Sequence, residues 1–289
     1  MDKTITRLKP HSQARYLLCS DLDRTLIPNG PQAESPGARE RLRALVEHHA
    51  ICVVYVTGRN RALVEQAVAQ FDLPWPDAVI GDVGTRIWST FDQRWTTWSQ
   101  WDELIRRNWT EQVRERAGAH AESVGALQRQ PEECQTAYKL SYFCPARALA
   151  ETAARLKSAF AADALPAAII ASLDETTDQG LIDILPDKAT KRGAIEMVMG
   201  AWGFAHWATV CAGDSGNDLP FLTSALQAVL VANATESVRE QALSMAQAQG
   251  QIDNLYLARG GPGGMNGNYA AGVIEGFAHY VPEARDWLE

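Results

Sequence analysis

The chain has 289 residues and a formal net charge of −8, and 46% of its residues are apolar. The length suits one large domain or two unequal ones, and the apolar fraction supplies a sizeable core. An acidic chain lacks the basic surface on which nucleic-acid binding depends, so we expect no nucleic-acid partner. A phosphorylated metabolite stays compatible with this charge, because one lysine and a metal ion suffice to hold one phosphate.

Five cysteines are present, and none forms a Cys-x-x-Cys pair. Cys19, Cys52 and Cys211 lie in apolar runs, which indicates small buried hydrophobes and fits a reducing compartment. The segment 1–7 lacks the apolar run of a signal peptide, and no stretch approaches the length of a membrane span. We therefore expect a cytoplasmic protein without a membrane partner.

The first part of the chain alternates between strands and helices. Apolar runs predict strands at Tyr16–Ser20, Ile51–Val56 and Ala78–Ile80. Helical spacing of apolar residues predicts helices over Ala38–His49 and from about Ala62 onward. The run Ile51–Val56 is apolar throughout, as expected of a strand that is covered on both faces.

The middle of the chain has a different character. Five tryptophans lie between Trp88 and Trp109, and we interpret them as core of a small domain in preference to a stacking surface for sugars. Predicted strands at Tyr138–Cys144, Ala167–Leu173 and Leu181–Leu185 accompany a helix over Ala148–Ala161. This mixture predicts a small α+β domain.

The third part returns to alternation. The predicted elements are, in order, Thr190–Gly200 (helix), Ala208–Ala212 (strand), Asp218–Ser224 (helix), Ala228–Val231 (strand), Val238–Ala248 (helix), Leu255–Leu257 (strand) and Tyr269–Tyr280 (helix). We therefore predict an α/β fold, a doubly wound parallel sheet with an inserted smaller α+β cap domain. The predicted core domain comprises residues 1–87 and 186–289, and the cap comprises residues 88–185.

Two aspartates, Asp21 and Asp23, follow the first predicted strand on alternate residues, with Thr25 next in the pattern. Extended backbone sends residues i and i+2 to the same side, so the two carboxylates start close together. Carboxylates at a strand exit suit a metal site with a nucleophile. The alternative is a strand that stops in a polar turn with aspartate as a cap.

Two weaker patterns follow later strands. Thr57 and Gly58 come directly after the second strand, where a hydroxyl and backbone N–H groups at a helix start can hold phosphate. The alternative there is a simple helix cap. Lys191 opens the helix after the strand that ends at Pro186, where it can bridge a nucleophile and a phosphate. The alternative is a solvated surface lysine, which is the commoner situation.

The segment Gly213–Asp218 follows the strand that ends at Ala212. Its aspartates flank a glycine-containing turn, and Asp214 could join Asp21 on a divalent ion. Mg²⁺ favours such hard oxygen ligands. The alternative is a hydrogen-bonded turn without a metal.

Together these segments resemble, in order, the four motifs of the haloacid-dehalogenase-like hydrolases. The motifs are Asp21–Thr25, Thr57–Arg59, Lys191 and Gly213–Asp218. The insertion between the second and third motifs resembles the cap type of sugar-phosphate phosphatases. Within the superfamily the closest resemblance is to sucrose-phosphate phosphatases, carried by Ile182–Pro186, Cys211–Leu219 and Tyr269–Gly276. It covers nearly the whole chain after about residue 14.

The resemblance implies that Asp21 is the nucleophile, which forms an aspartyl-phosphate. It implies that Asp23 is the general acid for the leaving sugar oxygen and then the base that activates water. We expect neighbouring carboxylates and partial burial to raise the pKa of Asp23. The implied Mg²⁺ ligands are Asp21, the backbone carbonyl of Asp23, Asp214 and Asp218. The implied phosphate-binding residues are Thr57, Gly58, Lys191 and Asn217.

Two positions depart from the family pattern. Arg24 stands where a small or amide residue is frequent, and Arg86 stands where an acidic residue is common. Candidates for sugar contacts are Arg86, Lys139 and Asp178, the last of which lies in the polar loop 174–179. For most of these positions the alternative is a solvated surface.

The function that the resemblance implies is Mg²⁺-dependent hydrolysis of a disaccharide phosphate, with sucrose 6-phosphate as the leading substrate. Mannosylfructose, glucosylglycerol and mannosylglycerate phosphates are the alternatives within this class. A second class is a non-catalytic domain that binds a sugar phosphate or a sucrose-phosphate synthase. Retention of both motif-one aspartates, Lys191, Asp214 and Asp218 argues against that class.

Overall fold

The computed structural model describes residues 13–174 and 177–288. The segment 1–7, in which we expect no signal peptide, lies outside the described residues, as do Glu175 and Thr176 of the polar loop 174–179. Within the described ranges, no helix combines the length and the apolar character needed to cross a membrane.

The elements follow one another in an order close to the predicted one. The strands are β1 (Tyr16–Ser20), β2 (Ile51–Val56), β3 (Ala78–Gly81), β4 (Arg86–Ser89), β5 (Thr96–Thr97), β6 (Gln128–Arg129), β7 (Leu140–Pro145), β8 (Ala167–Asp174), β9 (Gln179–Pro186), β10 (Thr209–Gly213), β11 (Gln227–Leu230) and β12 (Leu255–Leu257). The helices are α1 (Ala38–Val46), α2 (Arg61–Gln70), α3 (Ser99–Arg106), α4 (Glu111–Glu122), α5 (Leu149–Ala162), α6 (Lys191–Trp202), α7 (Leu219–Leu222), α8 (Glu236–Ala248) and α9 (Ala270–Tyr280).

The larger sheet of the described chain has the strand order β12-β11-β10-β1-β2-β3-β4-β5. The strands from β12 to β3 pair in parallel, which confirms the predicted doubly wound fold. β4 and β5 add an antiparallel edge that differs from the all-parallel prediction. The reason is that the chain turns back along the sheet after β3, so the first part of the tryptophan-rich run stays in the larger sheet.

Apolar side chains cover both faces of this sheet. On β1, Leu17 and Cys19 belong to a cluster that includes residues of α6 and α8. Leu18 belongs to the cluster on the opposite face, which includes residues of α1, α2 and α9. Helices on both faces explain why every residue of β2 is apolar and buried.

A separate antiparallel sheet of order β6-β7-β9-β8 forms the cap, which confirms the predicted α+β insertion. Apolar residues of α4 and α5 share a cluster with this sheet, in which Tyr142, Leu156 and Phe160 are buried. The cap therefore has an apolar core of its own.

The tryptophans from Trp88 to Trp109 are structural, but most of them serve the larger domain. Trp109 alone among these five lies in the cap cluster. Trp98 and Trp101 pack on one face of the larger sheet, and Trp88 and Trp95 pack on the other. The expectation that they fill the small domain is thus wrong for four of the five. We propose that the cap comprises residues 107–186 and not the predicted 88–185.

The fold brings the carboxyl ends of β10, β1 and β2 together at one edge, because β1 pairs with both neighbours. The strand order changes direction at β1, and doubly wound sheets bind ligands at such a point. Helix α6 reaches this edge through a close backbone approach. Gly84 has φ +104°, and a Cβ there would lie 2.4 Å from the carbonyl carbon of Thr190.

Candidate active site

Asp21 lies at the exit of β1, where its backbone N–H donates to the carbonyl of Ala212 at 2.9 Å. Its side chain is buried, and Oδ1 accepts a hydrogen bond from Nζ of Lys191 at 2.7 Å. Burial raises the pKa of Asp21 well above its ordinary value, while the charge of Lys191 opposes that shift. The carboxylate is therefore held at the sheet edge by a single ammonium group.

Lys191 is 2% exposed and lies at the centre of the site. Its Nζ donates to Asp21 Oδ1 at 2.7 Å, to Asn217 Oδ1 at 2.8 Å and to Asp218 Oδ1 at 2.7 Å. Burial by itself lowers the pKa of Lys191, but the charges of Asp21 and Asp218 outweigh it, so the pKa lies above its ordinary value. All three ammonium hydrogens have an oxygen partner.

Asp218 holds the loop that carries Asp214. While its Oδ1 receives Lys191, its Oδ2 accepts the backbone N–H groups of Asp214 at 3.1 Å and Ser215 at 3.2 Å. Gly213 permits this fold-back, because a Cβ there would lie 2.6 Å from the Asp218 carboxyl. Both oxygens of Asp218 thus have partners from the protein.

Asp214 is 3% exposed, and both of its oxygens are occupied as well. Oδ1 accepts from the Thr25 hydroxyl and Oδ2 accepts from Nε of Arg24, each at 3.2 Å. Burial, followed by the charge of Asp218, raises the pKa of Asp214 to about 7. The buried carboxylates therefore repel one another.

This carboxylate group fits a divalent cation. One oxygen from each of Asp21, Asp214 and Asp218 lies within 4.8 Å of the other two. These are hard oxygen donors of the kind Mg²⁺ takes. A cation would also relieve the repulsion that raises the pKa of Asp214. Asp218 binds the Lys191 ammonium at 2.7 Å through Oδ1 and two backbone N–H groups through Oδ2, whereas each Asp214 oxygen has one longer hydrogen bond, at 3.2 Å. Asp21 and Asp214 are therefore the side chains better placed to hold the cation.

The structure contradicts the expected pKa of Asp23. Arg59 donates two hydrogen bonds to this carboxylate, from Nη2 to Oδ1 at 2.6 Å and from Nε to Oδ2 at 2.7 Å. Asn29 Nδ2 also donates to Oδ1, at 2.8 Å. Burial raises the pKa of Asp23, but the hydrogen bonds and charge of Arg59 outweigh burial, so its pKa lies below the ordinary value. Asp23 is ionised in this state, and a raised pKa was the wrong expectation.

Thr57 and Gly58 lie at the carboxyl end of β2, the strand next to β1. Thr57 is buried and its Oγ1 accepts the backbone N–H of Arg59 at 3.1 Å. Gly58, the next residue, is exposed. Asn217 contacts both Lys191 and the Ser215 hydroxyl. The sequence-predicted phosphate residues thus share one edge of the sheet.

The three candidate sugar residues lie in different settings. Arg86 pairs with Asp102 at 2.9 Å, and its guanidinium lies 5.2 Å from the centre of the Tyr138 ring. Lys139 is 8% exposed and directly precedes β7 of the cap sheet. Asp178 is exposed in the turn between β8 and β9.

Three further residues were given no role from the sequence, although Arg59 lies in the second motif and Asp183 lies in the segment Ile182–Pro186. Asn29 and Arg59 hold Asp23, and Asp183 lies half-buried on β9, where its carboxyl accepts a hydrogen bond from the Ser141 hydroxyl. Burial raises the pKa of Asp183, while the charge of Lys139 opposes that shift. Asp183 carried a detectable signal, because it is the single charged residue in the otherwise apolar run Leu181–Pro186. Asn29 carried no such signal in the sequence, because a turn of the chain brings its side chain back to Asp23.

The sequence model of the sucrose-6F-phosphate phosphohydrolase family matches residues 14–281. A HAD-like hydrolase of Nitrosococcus oceani is 46% identical over 280 residues, which are 95% of this chain and 74% of that protein. A mannosylfructose-phosphate phosphatase of Agrobacterium fabrum is 27% identical over 271 residues, covering 91% and 96% of the two chains.

The fold matches that of the sucrose-phosphatase from Synechocystis, whose structure contains sucrose and phosphate. The TM-score is 0.73 at 22% identity, and the match covers 93% of this chain and 98% of the other. The identity is too low to carry more than the fold. The family match and the Nitrosococcus relative carry the classification. The chain therefore belongs to the sucrose-6F-phosphate phosphohydrolase family of HAD-like hydrolases, and it is a phosphatase, a phosphoric monoester hydrolase.

Proposed function

We propose that this phosphatase is Mg²⁺-dependent and hydrolyses a disaccharide phosphate through an aspartyl-phosphate on Asp21. The observation that carries the proposal is the ammonium of Lys191, which joins Asp21, Asn217 and Asp218 at 2.7–2.8 Å. This contact unites three separate sequence motifs at the strand exits. A solvated surface lysine, the alternative from sequence, does not describe a side chain that is 2% exposed.

The chemistry requires a carboxylate to attack a phosphate dianion. Two unit charges 4 Å apart interact by about 4 kcal/mol at an effective dielectric of ~20, so like charges oppose the approach. Lys191 offsets this repulsion at Asp21 itself, and Thr57 with Gly58 offers a hydroxyl and backbone N–H groups to the phosphoryl oxygens. Mg²⁺ bound by Asp21, Asp214 and the Asp23 carbonyl would supply further charge neutralisation.

Asp23 would protonate the sugar oxygen as it leaves and then take a proton from the attacking water. In the present state Arg59 and Asn29 occupy both of its oxygens, and its lowered pKa keeps it ionised. We infer that Arg59 gives up its hydrogen bond to one Asp23 oxygen in the substrate complex, because the protonated oxygen of a carboxyl group becomes a hydrogen-bond donor. The partly exposed Asp23 side chain leaves room for that change.

The sugar is proposed to bind between the cap and the catalytic edge. Lys139, with Asp183 beside it, offers an ammonium and a carboxylate to hydroxyl groups, and Arg86 and Asp178 are the further candidates. We propose sucrose 6-phosphate as the preferred substrate, because the family is named for sucrose-6F-phosphate hydrolysis and the structure of the Synechocystis neighbour contains sucrose and phosphate. Mannosylfructose phosphate is the principal alternative, on the strength of the Agrobacterium relative. Glucosylglycerol and mannosylglycerate phosphates, and a synthase partner, stay predictions.

A substrate panel tests the proposal. Phosphate release would be measured with and without Mg²⁺ on the disaccharide phosphates above and on monosaccharide phosphates, with Asp21→Asn as the inactive control. We expect the highest kcat/KM with sucrose 6-phosphate and loss of turnover with a chelator. A clear preference for a monosaccharide phosphate would contradict the sugar assignment alone. Full turnover by Asp21→Asn would contradict the mechanism.

A further inference from the structure

Arg24 contacts a carboxylate that the proposed function assigns to the metal. Its Nε donates to Oδ2 of Asp214 at 3.2 Å, and its Nη2 donates to the backbone carbonyl of Asn233 at 3.2 Å. The Arg24 side chain is 16% exposed, so this guanidinium is part of the site and not a surface group. Position 24 is also where the sequence departs from the frequent small or amide residue.

The backbone of Arg24 adopts an unusual conformation that hydrogen bonds hold in place. Its φ is +58°, a left-handed conformation that arginine adopts rarely. Asn29 Oδ1 accepts its N–H at 2.8 Å, and Asn233 Nδ2 donates to its carbonyl at 2.6 Å. Asn233 is fixed in turn by the backbone N–H of Tyr269 at 2.7 Å. Asn29 and Asn233 therefore hold Arg24 beside Asp214, and Tyr269 fixes Asn233.

We propose that Arg24 is a positioning residue that acts as a resident counter-charge for Asp214, and that it lowers the affinity of the site for a divalent cation. The proposal rests on the proposed Mg²⁺ site. With Thr25 on Oδ1 and Arg24 on Oδ2, Asp214 is oriented before any metal arrives. A cation that binds Asp214 through either oxygen is repelled by the guanidinium that is bonded to Oδ2.

The charges around the site support this role. Four carboxylates, on Asp21, Asp23, Asp214 and Asp218, are paired directly with three cations, on Lys191, Arg24 and Arg59. When all are ionised the metal-free group carries one negative charge, and it would carry two without Arg24. Because a divalent cation is attracted in proportion to that charge, Arg24 weakens the attraction while it stabilises the empty site.

The test measures metal binding without substrate. Mn²⁺ would be titrated into the metal-free protein and the free ion counted by electron paramagnetic resonance, with Mg²⁺ then added as competitor. Arg24→Asn removes the charge and suits the left-handed backbone. Arg24→Lys keeps the charge, and Arg192→Gln alters an exposed arginine that pairs with Glu196. Thermal melting of each metal-free variant verifies folding.

We expect Arg24→Asn to bind Mn²⁺ and Mg²⁺ about tenfold more tightly than the wild type, because removal of the guanidinium removes its repulsion of the bound cation. A tenfold change in affinity corresponds to about 1.4 kcal/mol of binding free energy. Arg24→Lys and Arg192→Gln should stay within about threefold of it. Equal or weaker binding by a folded Arg24→Asn would overturn the role of Arg24 while leaving the metal site intact. If neither the wild type nor Arg24→Asn binds either ion, the metal assignment itself fails, and the role of Arg24 fails with it.

Discussion

At the residue scale, the site is a set of buried charges whose state depends on their partners. Asp21 and Lys191 could be placed together from the sequence, because both follow strand exits that meet at one sheet edge. The state of Asp23 could not be predicted. Its pKa depends on a two-bond contact with Arg59, 36 residues further along the chain, which is fixed only by side-chain geometry.

The raised pKa of Asp214 predicts how the stability of the metal-free protein depends on pH. Its folded-state pKa of about 7 exceeds the ordinary value of about 3.9. Folding therefore favours the protonated form, so this contribution to stability is present below pH 4 and is lost as the pH rises through 7. We expect the metal-free protein to lose up to a few kcal/mol from this group between pH 5 and pH 8.

Urea unfolding of the wild type and of Asp214→Asn in chelator measures this effect. The variant cannot ionise at position 214, so its stability relative to the wild type should be greater at pH 8 than at pH 5. Added Mg²⁺ should stabilise the wild type at pH 8 and have little effect on the variant. An identical difference in unfolding free energy at both pH values would contradict the assigned pKa.

At the element scale, the apolar pattern predicts the buried strands well. Tyr16–Ser20 and Ile51–Val56 have the predicted bounds, because continuous apolar runs end abruptly in polar motifs. The sequence did not predict the short strands β4 and β5. β5 has two exposed threonines, and its pairing is decided by where the preceding turn directs the chain.

The approach of α6 to Gly84 provides a prediction for two glycines. Gly84→Ala would place a Cβ 2.4 Å from the Thr190 carbonyl carbon at φ +104°, so the first turn of α6 must move and carry Lys191 with it. We expect at least a tenfold loss of kcat/KM together with about 1–3 kcal/mol of destabilisation. Sugar-phosphate turnover and urea unfolding measure the two effects.

Gly200→Ala is the matched control on the same helix. A Cβ at Gly200 meets nothing within 4 Å, and the residue is exposed within α6. This substitution should stabilise the protein by about 0.5–1 kcal/mol, because alanine is the better helix former, and should leave turnover unchanged. Equal effects of the two substitutions would show that the close approach of Gly84 does not position Lys191.

At the scale of the whole molecule, the cap contacts the larger domain at the candidate active site. The carbonyl of Ala171 on β8 lies 3.1 Å from where a Cβ of Gly216 would be, so this cap strand contacts the segment Gly213–Asp218. The charge of Lys139 in the cap acts on Asp82 in the larger domain. The inserted cap was predictable because the pattern of strands and helices changes in the middle of the sequence. The proximity of Lys139 to Asp82 was not predictable, because it depends on how the cap packs against the larger domain.

This meeting of the domains predicts that Lys139→Met separates sugar recognition from phosphate chemistry. Loss of a charged hydrogen bond to a sugar hydroxyl costs about 1.5–3 kcal/mol, which is roughly 10- to 100-fold in kcat/KM. We expect that loss with the disaccharide phosphate and a much smaller one with p-nitrophenyl phosphate, which has no sugar. Lys157→Met, an exposed change on α5 of the cap, is the control. Equal losses on both substrates would place Lys139 outside the sugar site.

We propose that Asp21, which accepts a hydrogen bond from Lys191 at the exit of β1, is the group that attacks phosphorus. Rapid acid quench during turnover of a sugar phosphate, followed by mass spectrometry of the peptides, identifies the residue that carries the phosphoryl group. We expect the added phosphoryl mass on the peptide that contains Asp21, and none in Asp21→Asn. A phosphoryl group trapped on another residue, or rapid turnover with no trapped phosphoryl-enzyme at any quench time, would contradict the account.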